Sequence, residues 1–131
     1  MKGALTIEHV ALWVADLEAA RAFYVDVLGG VAGGKYVNAR TGFESYFVSF
    51  AAGARLELML RPDVALHRDA GERLGYAHVA LASGSREAVD ALAARLRERG
   101  LTVASGPRLT GDGYYELAFD DPEGNRVEIM A

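Results

Sequence analysis

The stretch Ile7-Glu8-His9-Val10-Ala11-Leu12-Trp13-Val14 returns as Tyr76-Ala77-His78-Val79-Ala80-Leu81, and this repetition limits what the chain can fold into more than any other feature. An internal repeat marks one supersecondary unit used twice. Both copies lead into a short loop, an amphipathic helical pattern and a glycine at its end. Each half then closes on a matching strand, Arg55-Leu56-Glu57-Leu58-Met59 and Arg126-Val127-Glu128-Ile129-Met130. The two histidines stand 69 residues apart and the two glutamates 71. Each half therefore supplies one His and one Glu at corresponding places.

Alternation along the strands assigns these residues to faces, because successive side chains of a strand point to opposite sides. Over residues 5–14 the aliphatic Val10, Leu12 and Val14 share one face, and His9, Ala11 and Trp13 share the other. Asp16 caps a helix whose Ala20, Phe23, Tyr24, Val27 and Leu28 recur at helical spacing, and Gly29-Gly30 stops it. Residues 31–42 predict a second strand interrupted at Gly33-Gly34, residues 44–50 a third, and residues 55–60 a fourth. In the fourth, Leu56, Leu58 and Leu60 oppose Arg55, Glu57 and Met59. After a polar stretch the pattern restarts. Residues 75–82 form a strand and Ser85 caps a helix over 86–99 with Val89, Leu92 and Leu96 as its stripe. A weaker strand over 101–109 is broken at Gly106-Pro107. Strands over 114–119 and 126–130 flank the turn Asp121-Pro122-Glu123-Gly124-Asn125.

The predicted order is strand, helix, three strands, twice. This is an α+β fold in which each helix covers one face of a four-stranded sheet. At 131 residues the chain suits a single domain made of two modules, about 5–61 and 75–131, joined by a linker over 62–74 that contains His67. The aliphatic faces lie under the helices, so His9, Glu57, His78 and Glu128 are expected together on the uncovered, concave side.

Composition narrows the chemistry. The chain has no cysteine, so disulfides, thiolate nucleophiles and sulfur metal ligands are excluded, and a metal must be held by nitrogen and oxygen. No apolar run approaches the roughly 20 residues needed to cross a bilayer, and no signal-peptide pattern is present. A cytoplasmic location and no membrane partner are expected. A net charge of -4 with interspersed signs offers no basic stripe for nucleic acid.

Two imidazoles and two carboxylates facing one cavity make a ligand set for one divalent metal, with positions left for water or substrate; Zn, Ni, Co, Mn and Fe all accept such donors. The competing structural account pairs Arg55 with Glu57 and Arg126 with Glu128 as ordinary ion pairs on their own strands. Repetition of the His and Glu, 48 and 50 residues apart in the two halves, favours the metal. Trp13, on the His9 face, is expected to line a small-molecule substrate pocket, with Tyr46 and Tyr115 as weaker candidates, since aromatics in strands are more often core.

The residues Glu8-His9-Val10-Ala11-Leu12, Phe23-Tyr24, Val27-Leu28-Gly29, His78-Val79-Ala80-Leu81 and above all Asp121-Pro122-Glu123-Gly124-Asn125-Arg126-Val127-Glu128 make the chain resemble the vicinal oxygen chelate superfamily. That superfamily includes glyoxalase I, bleomycin resistance proteins, extradiol dioxygenases, fosfomycin resistance enzymes and methylmalonyl-CoA epimerase. The resemblance implies two βαβββ modules forming a cup-shaped mixed sheet with helices outside. It also implies His9, Glu57, His78 and Glu128 as metal ligands, and a homodimer, with each site built within one chain or across two. Carried over from glyoxalase-like enzymes, the chemistry is a lyase or isomerase reaction on a small oxygen-bearing metabolite through an enediolate-like intermediate, Glu57 or Glu128 moving the proton. Bacterial glyoxalase I carries an Arg and an Asn for glutathione where this chain has Trp13 and Arg61, which argues against that cosubstrate. The alternatives are an extradiol-dioxygenase-like oxidoreductase, disfavoured by the fourth ligand, and a metal-free drug-binding protein, disfavoured by the intact His and Glu set.

Overall fold

In the computed structural model, which describes residues 3–65, 72 and 74–131, the chain divides into two compact units, Met1–Arg68 and Asp69–Ala131. His67 lies outside the described residues. The first unit comprises β1 (His9–Trp13), α1 (Leu17–Ala22), β2 (Val31–Ala32), β3 (Tyr36–Asn38), β4 (Phe43–Ser49) and β5 (Arg55–Leu60). The second comprises β6 (His78–Ala82), α2 (Arg86–Glu98), β7 (Val103–Leu109), β8 (Tyr115–Asp120) and β9 (Arg126–Met130). Each unit is an open mixed sheet with one helix, so the α+β expectation holds.

The sheets share a plan. In the first the order is β1-β5-β4-β2, with β3 also paired to β4; in the second it is β6-β9-β8-β7. The first strand of each unit runs parallel to the last, β1 beside β5 and β6 beside β9, and the other pairings are antiparallel. A parallel pair needs a crossover, and the helix supplies it. The parallel register sets Ala11 opposite Glu57 and Ala80 opposite Glu128. Each His thus falls on the same sheet face as its Glu, one pleat away.

Burial follows the predicted stripes. Leu17, Ala20, Phe23, Tyr24 and Val27 pack with Val48, Leu56 and Leu58 in the first unit; Val89, Leu92, Ala93 and Leu96 pack with Leu117, Phe119, Val127 and Ile129 in the second. Both caps form as expected: Asp16 Oδ1 accepts from the Ala19 amide at 3.0 Å and Ser85 Oγ from the Ala88 amide at 3.1 Å. One difference lies in the first helix, which widens to a π-helical turn over Phe23–Val27. There Leu28 N donates to Phe23 O across five residues at 3.3 Å, and the adjacent Phe23 and Tyr24 are both buried. The predicted second strand is realised as two short pieces, β2 and β3. The stretch expected to break at Gly106-Pro107 instead runs through as β7, absorbing the irregularity as register shifts against β8.

The hairpin before β9 is locked by Asp121, a buried carboxylate. Its Oδ1 accepts from the Glu123 and Asn125 amides, both at 2.9 Å, and its Oδ2 from Asn125 Nδ2 at 3.1 Å. This turn fixes where β9, and with it Glu128, begins. Asp121→Ala should lower the urea-unfolding free energy of metal-free protein by about 1–3 kcal/mol, since it removes three hydrogen bonds from partly buried donors. Among the described residues no helix is long and apolar enough to cross a membrane.

Candidate functional site

The structure gathers the four predicted ligands two by two. His9 Nε2 faces Glu57 Oε1 at 3.6 Å in the first unit, and His78 Nε2 faces Glu128 Oε1 at 3.2 Å in the second. Among the described residues no three His, Cys, Asp or Glu side chains cluster as a metal site; each unit contributes a pair. The glutamates are the more enclosed members, with 16% and 20% of their side chains exposed against 40% and 38% for the imidazoles.

The geometry of each pair suits a bound cation. Two donors held at about 2.1 Å from one first-row ion lie about 3.0 Å apart at a right angle and about 3.4 Å at a tetrahedral angle. The observed separations are close to both, and imidazole nitrogen with carboxylate oxygen is a donor set that such ions accept.

The competing ion-pair account fails on where the arginines go. Arg55 turns to Glu8, with Nη2 2.9 Å and Nε 3.3 Å from Oε2 and a further contact to Oε1. Arg126 reaches Asp120 Oδ1 at 2.7 Å, its cross-strand partner. The Arg55 guanidinium holds the Glu8 carboxyl below the usual carboxylate range.

The sheet face around His9 and Glu57 is aromatic. Phe47 is the cross-strand partner of Glu57 and meets the His9 ring edge to face, with centroids 5.3 Å apart. Trp13, 41% exposed, meets Phe43 in the same manner at 6.3 Å, and Phe43 contacts Tyr36 at 6.0 Å. Arg61 lies over the Trp13 ring at 5.0 Å and is paired with Asp63. Trp13 thus lies on the same sheet face as His9. Phe47, Phe43 and Tyr36 were not singled out from sequence; alternation along β4 from the partner of Glu57 is the signal that finds the two phenylalanines.

Tyr46 and Tyr115 are placed differently from the expected pocket-lining position. Tyr46 pairs across β4 and β5 with the buried Leu58 and its hydroxyl donates to Glu18 Oε1 at 2.9 Å, on the helix side of the sheet. Tyr115 shares the face of Leu117 and Phe119 and its hydroxyl donates to Asp90 of α2. Arg21 lies over the first ring at 5.3 Å and Arg86 over the second at 4.9 Å. Each tyrosine thus ties its sheet to its own helix, away from the His and Glu. Burial, then the Glu18 hydrogen bond, raises the Tyr46 pKa; the Asp90 bond, then burial, raises that of Tyr115.

Around His78 and Glu128 the face is polar instead. Glu116, diagonal to Glu128 across β8 and β9, has its carboxyl pKa raised by burial and by the neighbouring Glu128, and Arg108 stands opposite it in the register of β7.

Residues 6–129 match the family model described as Glyoxalase/Bleomycin resistance protein/Dioxygenase superfamily. The uncharacterized protein YqjT of Bacillus subtilis strain 168 is 30% identical over 131 residues, covering 95% of this chain and 98% of that one. A glyoxylase/bleomycin resistance protein/dioxygenase domain from Frankia sp. EAN1pec superposes with a TM-score of 0.83 at 20% identity over 98% of both chains. A lactoylglutathione lyase from Agrobacterium tumefaciens superposes with a TM-score of 0.69 at 26% identity, over 98% of this chain and 95% of that one.

Proposed function

The chain belongs to the Glyoxalase/Bleomycin resistance protein/Dioxygenase superfamily, and on that premise we propose that it is a divalent-metal-dependent lyase or isomerase acting on a small oxygen-bearing metabolite. The observation that carries the proposal is the repeated His and Glu pair, 3.6 Å and 3.2 Å apart in the two units, with the nearby arginines engaged elsewhere. His9, Glu57, His78 and Glu128 would hold the metal. A bound divalent ion would supply Lewis-acid stabilisation of negative charge developing on substrate oxygen.

The remaining roles fall to the chain's own groups. Glu57 or Glu128 takes the proton next to the substrate carbonyl and returns it, a task for a positioned carboxylate. The wall of Trp13, Phe43 and Phe47 excludes water from the His9 side and accepts an apolar substrate surface. Trp13 and Arg61 stand at the two positions that argue against glutathione, and Arg61 is already committed to Trp13 and Asp63. Assembly as a homodimer in the cytoplasm belongs to the same proposal, and light scattering at micromolar concentration tests the dimer.

Elemental analysis after chelator stripping and reloading with Ni, Zn, Co, Mn or Fe(II) is expected to find about one tightly held ion per pair of units. The aromatic face favours one other reading, metal-free sequestration of a planar molecule, which gains if no ion is retained under any loading. Trp13 is the sole tryptophan, so its fluorescence reports directly on this wall: ligands seated there should quench or shift it, and Phe43→Ala should weaken that response several-fold. Ligands that bind without changing the emission count against an aromatic subsite.

A further inference from the structure

The two units present the same His and Glu pair with different support. In the first unit the imidazole of His9 is held within a closed ring of contacts. Glu8 Oε2 lies 3.5 Å from His9 Nδ1. Arg55 grips the Glu8 carboxylate through Nη2 and Nε and lies over Phe47 with its Cζ 4.1 Å from the ring centroid. Phe47 meets the His9 ring at 5.3 Å with the planes at 89°, closing the circuit. The backbone reinforces it: Arg55 N donates to Glu8 O at 2.9 Å, and His9 is the register partner of Arg55.

Among the described residues the second unit lacks this arrangement. Matched through the parallel registers, its counterparts of Glu8, Phe47 and Arg55 are Ala77, Ala118 and Arg126. Ala77 offers no acceptor, Ala118 no ring, and Arg126 is turned to Asp120.

We propose that Glu8 is a positioning residue for His9: its carboxylate accepts a hydrogen bond from Nδ1–H, so that Nε2 is left with its lone pair on the Glu57 side, while His78 has no such partner among the described residues. A ring nitrogen that binds metal is set by the hydrogen bond the other nitrogen makes, and carboxylates in this role commonly change metal affinity. The proposal rests on the assignment of His9 as a ligand for its consequence, but not for its geometry. It makes the first unit the preorganised half of the site and Glu8 the residue that distinguishes the two halves.

The imidazole nitrogens of ¹⁵N-labelled, metal-free full chain, observed at about pH 8, test this without any metal. His9 should carry its proton on Nδ1. Glu8→Ala should move it toward Nε2, the form free imidazole favours; Glu8→Gln, whose amide oxygen can still accept, should retain Nδ1–H; His78 should be unchanged throughout. Zn²⁺ affinity by chelator competition should fall about 10- to 100-fold in Glu8→Ala. It should stay low in the double variant Glu8→Ala/Arg55→Met, which removes the cation left unpaired. A wild-type His9 protonated on Nε2, or a tautomer that Glu8→Ala does not move, overturns the proposal. So does recovery of Zn²⁺ affinity in the double variant, since the loss would then come from Arg55. If the tautomer responds as expected but the wild type holds no ion, the metal assignment fails and the positioning role of Glu8 stands.

Discussion

His9→Ala is expected to strip the protein of tightly held divalent metal, lowering affinity by more than the ~100-fold that marks loss of an outer contact, while leaving metal-free stability within about 0.5 kcal/mol of wild type. The two halves of this expectation have separate causes. The His9 side chain is 40% exposed, so little burial is lost with it. Its Nε2, by contrast, is one of two donors that the first unit offers. Glu128→Gln should produce a comparable loss from the other unit, because an amide oxygen is a weaker, uncharged donor than a carboxylate. Elemental analysis of reloaded protein, with urea unfolding in parallel, reads both quantities. If both variants retain stoichiometric metal, the ligand assignment is wrong. If only one loses it, the ion is held by a single unit and the pairing of the two His and Glu sets must be abandoned.

Phe119→Ala should have the opposite profile, costing about 3–5 kcal/mol of stability with the His78 and Glu128 ligands unaltered. Phe119 is completely buried, on the face of β8 that packs under α2 with Leu117, Val127 and Ile129. Removing the ring opens a cavity that Val89 and Leu96, themselves fully buried, cannot fill without moving the helix. The measurement belongs on metal-free protein, because a ligand bound only to the folded state adds its own stabilisation. A loss below about 1 kcal/mol would mean that the sheet and helix of the second unit repack freely, contrary to a close-packed core. Phe47→Ala, on the open face of the first sheet, should cost less and instead loosen His9.

Several features of the site were legible in one dimension. The parity of His9 against Val10 and Leu12, and of Glu57 against Leu56 and Leu58, placed the His and Glu of the first unit on the face away from α1, and the same holds for His78 and Glu128. The caps at Asp16 and Ser85 and the turn at Asp121 were equally readable, because each is a contact among residues at most four apart. The arginines were not. Along the sequence the nearest acid to Arg55 on its own face is Glu57, yet it binds Glu8, which the parallel neighbour strand brings alongside from 47 residues away. Arg126 likewise leaves Glu128 for Asp120 across the hairpin.

Tyr46 and Phe47 mark the same boundary. Adjacent in β4, they must point to opposite faces, but which one accompanies Glu57 depends on the register between β4 and β5, and so on how the turn through residues 51–54 closes. Packing settled it: Tyr46 beside Leu58 reaches Glu18 of α1, and Phe47 beside Glu57 braces His9. The sequence by itself determined the repeated units, their faces and the His and Glu that each unit carries, since alternation, capping and turn chemistry act over a few residues of chain. Only the tertiary structure decided the support around each pair, because register and ion-pair partners are chosen by strands distant in sequence, through the burial of one sheet face against its helix.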